Sequence, residues 1–127
     1  MQTKNRPVFL DLQVLTRHLP IPGIVSIMHR ISGVVLFMLL PALLALLAGS
    51  LSNGETFATY KAWADNGFIK LILWLVLWAY IHHLFAGIRF LLIDAHIGVE
   101  LQTARKSARI VLIGAAIVAF VLGIVLW

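Results

Sequence analysis

The sequence predicts an all-α membrane protein with three transmembrane helices in a single domain, residues 1–127. Two observations carry this expectation. The chain is 61% hydrophobic and 12% charged, with a mean hydropathy of +0.99, which leaves too little polar surface to cover a soluble domain. Its apolar residues also run in three unbroken stretches, each near the roughly 20 residues that cross a hydrocarbon core of about 30 Å as a helix. Continuous runs do not fit the alternation of transmembrane strands, and three strands cannot close a barrel. The chain has no cysteine, which excludes disulfides, thiolate metal sites and iron–sulfur ligation. Any iron held by this chain is held by histidine.

Residues 1–23 form an amino-terminal segment with Lys4, Arg6 and Arg17, followed by the proline pair of PIPG; it is expected to lie along the cytoplasmic surface. The first span covers 24–51. It exceeds the 7–15-residue apolar core of a cleaved signal peptide and carries Arg30 inside it, so it reads as a permanent span. Pro41 removes one backbone hydrogen bond there, and a local bend is expected. The second span covers 68–93 and the third 108–127.

Ten basic residues against five acidic ones give a net charge of +5, but they are scattered along the borders of the apolar runs rather than clustered on one face. They read as topology signals and not as a nucleic-acid surface. The amino-terminal segment and the 94–108 loop, with Arg105 and Lys106, hold most of them. The loop between the first two spans offers Lys61 among Glu55 and Asp65. The positive-inside rule therefore puts the amino terminus and the 94–108 loop in the cytoplasm, or the matrix of an organelle, and the carboxyl terminus outside. The start of the first helix and the end of the second then lie at one face.

Two polar motifs stand at that face. IHHLFAGIRFLLID (81–94) places His82, His83, Arg89 and Asp94 in or beside an apolar helix. His83 is about ten residues, or ~15 Å, from the inner helix end, a depth at which a polar side chain faces protein rather than lipid. Neutral imidazole is a good iron ligand, and a porphyrin lying across it requires a small residue one turn away. Gly87 meets that need for His83, and Ala86 meets it for His82. The alternative is a histidine hydrogen-bonded to a neighbouring helix. In SIMHRISG, Ser26, His29, Arg30 and Gly33 fall along one helical stripe and are expected to face one site. Arg30 must snorkel to the surface or meet an anion such as a haem propionate. Ser26 and Arg30 can also donate to a carbonyl oxygen of the kind a quinone presents. The plainer alternative is an interfacial anchor with an incidental histidine.

Together, and in this order, RPVFLDL, SIMHRISG and the H-x3-G-I-R of the second span with Asp94 resemble the cytochrome b anchor subunits of succinate dehydrogenase, respiratory complex II, over essentially the whole chain. The resemblance implies one of two small three-helix anchors beneath an iron–sulfur subunit and a flavoprotein, with a haem b shared between the anchors and ubiquinone as substrate. It implies His83 as the haem iron axial ligand, His29 and Arg30 near the propionates, and Ser26 with Arg30 at the quinone. Asp94 matches the motif's terminal acid, expected to pair with Arg89 or with a partner. The implied location is a bacterial inner membrane, with the mitochondrial inner membrane as the alternative. Two departures stand out: Phe90 occupies a position where the family often has a second histidine, and His82 is additional. A fumarate reductase anchor, a haem-free structural anchor and a small transporter subunit remain as other readings.

Overall fold

A computed structural model describes residues 19–127 of the chain. Lys4, Arg6, Arg17 and the LDL stretch, on which part of the expected topology rests, lie outside the described residues. Among the described residues four helices follow one another: α1, Ile21–Ser50; α2, Gly54–Ala64; α3, Gly67–Asp94; and α4, Leu101–Leu126. Of these, α1, α3 and α4 are long and apolar enough to cross a membrane.

The helix starts follow local chemistry. Pro22 stands in the first turn of α1, where its fixed φ suits the helix and its missing N–H costs nothing. Asn53 caps α2 by accepting from the Thr56 N–H at 2.8 Å, and Asn66 caps α3 by accepting from the Phe68 N–H at 3.0 Å. The helix runs unbroken through Pro41. Two elements depart from the sequence expectation. The loop after the first span contains α2, and α4, the third of the long apolar helices, begins at Leu101 rather than 108, because the basic stretch TARKSAR is itself helical. Hydropathy marks where hydrocarbon starts, not where the helix does.

Between α3 and α4 the chain turns in a Schellman motif. His96 N–H donates to the Ile93 carbonyl at 2.9 Å and Ile97 N–H to the Leu92 carbonyl at 2.8 Å, with His96 in the left-handed region at φ 62°. Glycine usually occupies this position, and histidine is among the side chains that tolerate it best. The turn sends α4 back along α3.

Small residues hold the bundle together. Ala79 and Ala86 of α3 and Ala108, Ala115 and Ala119 of α4 are buried, whereas large side chains such as Phe37 and Met38 point outward. Lipid offers no hydrophobic drive between helices, so association depends on close packing, and alanine and glycine let backbones approach. Gly123 shows how tightly: a Cβ there would lie 2.6 Å from Trp74 Nε1, whose N–H donates to the Ala119 carbonyl at 2.8 Å. At the other end Val25 of α1, Ala86 of α3 and Ala108 with Val111 of α4 form one core cluster. That cluster brings the start of α1 towards the last turns of α3.

Candidate functional site

Above this cluster α1 and α3 face each other through histidines. The rings of His29 and His83 stack, with centroids 4.1 Å apart and planes within 8°, and Phe90 lies against the His29 ring at 5.2 Å. His83 Nδ1 donates to the His29 carbonyl oxygen at 3.1 Å, since a carbonyl only accepts. Ser32 is buried and donates to the same carbonyl at 2.9 Å, while its Oγ lies 3.2 Å from His83 Nδ1. The His83 ring is half-buried and borders an open groove of about 390 Å³, walled by Leu36, Phe37, Leu40, Tyr80 and Leu84.

Both glycines face a histidine ring. A Cβ on Gly33 would lie 2.9 Å from His83 Cε1, so Gly33 is the residue that admits this ring. A Cβ on Gly87 would meet only His29 Nε2, at an ordinary 3.5 Å. The stripe from Ser26 to Gly33 divides: His29 and Gly33 turn to His83, Ser26 is half-buried, and Arg30 is exposed. Among the described residues Arg30 makes no ion pair. Counting from Ile21 to Arg30, nine residues place its Cα about 13 Å into the helix.

His82 is set apart from this group. It is fully buried against the Trp78 ring, centroids 5.6 Å apart, and neither ring nitrogen has a hydrogen-bond partner among the described residues.

Arg89 corrects one expectation. Its buried guanidinium donates through Nε to Ser107 Oγ at 3.0 Å and through Nη2 to the Ala104 carbonyl at 3.1 Å, and it lies 5.4 Å from the Phe90 ring centroid. It does not pair with Asp94, which is exposed. Five residues along a helix turn a side chain by roughly 140°, so the two project on different sides. Arg89 ties α3 to α4. Removing it leaves the Ala104 carbonyl and Ser107 with fewer partners and opens a void. Arg89→Ala should therefore cost about 1.5–3 kcal/mol of bundle stability, read as a lower inactivation temperature of the detergent-solubilised complex. Asp94→Asn should change it little.

Three apolar helices long enough to span a membrane, packed through small residues and holding imidazoles and a guanidinium between them, define a multi-pass membrane protein with polar groups among its helices. Residues 2–123 match the family of succinate dehydrogenase/fumarate reductase transmembrane subunits. The chain is 39% identical to the succinate dehydrogenase cytochrome b556 subunit of Coxiella burnetii, over 97% of this chain and 98% of that one. It is 35% identical to the protein of the same name from Paracoccus denitrificans, over 91% and 87% of the two chains. The chain belongs to this family, as a cytochrome b membrane-anchor subunit of succinate dehydrogenase, an oxidoreductase complex with further subunits.

Proposed function

We propose that the chain binds haem b and ubiquinone as an anchor of a succinate:ubiquinone oxidoreductase in a bacterial inner membrane, its amino terminus cytoplasmic and its carboxyl terminus periplasmic. His83 would hold the iron of a haem b shared with a second three-helix anchor, a side chain of which would supply a further ligand. His29 and Arg30 face the propionates, and Ser26 with Arg30 donates to a quinone carbonyl. The iron–sulfur subunit sits over the cytoplasmic end, and beyond it the flavoprotein oxidises succinate. Both relatives compared carry succinate dehydrogenase names, which favours succinate oxidation over fumarate reduction.

The observation that supports this most is the setting of His83. Its Nδ1 is held by the His29 carbonyl, and the rest of the ring borders an open apolar groove between α1 and α3 that a partner anchor could cover. Imidazole held through Nδ1 keeps Nε2 as the nitrogen available to a metal. The residues thus fit a haem; when bound, it supplies a one-electron carrier.

Quinone reduction takes two electrons and two protons, so its site must lie near both the iron–sulfur subunit and aqueous protons. The start of α1 meets both needs. Arg30 polarises a carbonyl oxygen and opposes the negative charge that arrives with the first electron, and Ser26 holds the ring in register by donating a hydrogen bond. The groups are fixed before reaction, and that is the source of their effect.

An absorption spectrum of the purified complex, oxidised and then treated with succinate, tests the proposal. Low-spin b-type bands that sharpen on succinate addition are expected. An assembled complex without such bands would return the chain to a structural anchor.

A further inference from the structure

The contacts around His83 contain more than a ligand and its support. Ser32 stands on α1 three residues after His29, 5% exposed, where its hydroxyl reaches both the His29 carbonyl and the His83 ring. A serine in a helix commonly bonds back to the carbonyl three or four residues before it, and Ser32 does so at 2.9 Å. That bond uses its single proton. Its remaining lone pairs face His83 Nδ1 at 3.2 Å, where they can only accept. The His29 carbonyl, 3.1 Å from the same nitrogen, can only accept as well. Two acceptors at Nδ1 fix the proton there and leave Nε2 bare.

The ring is also held from its edge and its face. Gly33 leaves so little room beside Cε1 that any side chain would push the ring away, and the His29 ring covers one face at 4.1 Å. His83 therefore has one tautomer and one orientation, both set by α1 rather than by its own helix.

We propose that Ser32 is a positioning residue for His83. By sharing the Nδ1 proton with the His29 carbonyl, it fixes Nε2 as the coordinating nitrogen and raises its basicity, and so lowers the reduction potential of the haem. Hydrogen-bond acceptors on the far nitrogen of a ligating histidine act in this way. The inference rests on the proposal that His83 is an axial ligand.

The test uses the whole complex in its membrane, with haem content, the low-spin EPR signal of the oxidised haem and the haem midpoint potential as readouts. Ser32→Ala should keep its haem, change the EPR signal and move the midpoint potential to a more positive value. Ser32→Thr, which keeps the hydroxyl, should restore both towards wild type. An unchanged or more negative potential in a haem-replete Ser32→Ala complex would overturn the proposal. Should Ser32→Ala fail to assemble, Ser32→Cys decides: it has a similar shape and a weaker hydrogen-bonding group. A positive shift there supports the role, and a wild-type potential refutes it. His83→Leu is made in parallel. If that variant keeps the low-spin haem, the ligand assignment itself has failed; if it loses the haem while Ser32→Ala leaves the potential unmoved, only the role of Ser32 has.

Discussion

His83→Leu is expected to abolish the low-spin haem spectrum of the assembled complex, and His82→Leu to leave it intact. Leucine offers iron no lone pair, so the first change removes a ligand outright, whereas neighbouring apolar packing can absorb a side chain of similar bulk. The second change acts on a ring sealed inside the bundle. His82 touches Trp78, meets no solvent and has no hydrogen-bond partner among the described residues. Burying polar nitrogens without partners costs about 1–3 kcal/mol by protein mutational scales. Leucine there removes that cost, so His82→Leu should yield a complex at least as heat-stable as the parent. The measurement is a reduced-minus-oxidised difference spectrum with haem quantified against the flavin of the same preparation. The exchanged result, haem lost from His82→Leu and kept in His83→Leu, would mean that α3 presents its other histidine to the iron.

How far the sequence reaches can be judged from particular residues. Long apolar runs located three spans because hydrocarbon thickness imposes its own length on a helix. They could not locate the start of α4, since Thr103 to Arg109 is polar and helical at once, nor α2, whose signal is the Asn53 cap and a short turn of mixed residues. Depth in the membrane singled out His83 and Arg30, because polar groups there need a partner or a route to the surface. The partners themselves were another matter. The sequence offers Asp94 either Arg89 or a partner, yet the acceptors of Arg89 lie on α4. Ser32 drew no attention, because a serine in an apolar helix is commonplace and its second contact is 51 residues away in sequence. Gly33 fell on the expected stripe for a reason that only the packing of two helices reveals. Periodicity shows which side of a helix faces inward; what it meets there depends on the rotation and register of the neighbour.

Arg30→Leu is expected to depress succinate-driven quinone reduction by about one to two decades while sparing electron delivery from succinate to an artificial acceptor at the soluble subunits. A hydrogen bond to a charged or charging group is worth roughly 1.5–3 kcal/mol, and a loss confined to the transition state translates into that range of rate. Ser26→Ala should show the same pattern at the smaller end, since a neutral hydroxyl gives up less than a full charge. The two residues are four apart on α1 and so lie one above the other on its surface, within reach of one small ligand. Arg30 is exposed and makes no ion pair among the described residues, so its loss should cost the fold little. That is why the two assays can be separated. Equal loss in both would mean that the substitution had damaged assembly, which haem content and subunit yield would show independently. Unchanged quinone reduction in both variants would remove the quinone from this stripe and leave Arg30 as an interfacial anchor. A reduced haem yield in Arg30→Leu with normal turnover of the remaining complex would assign the guanidinium to the propionates instead.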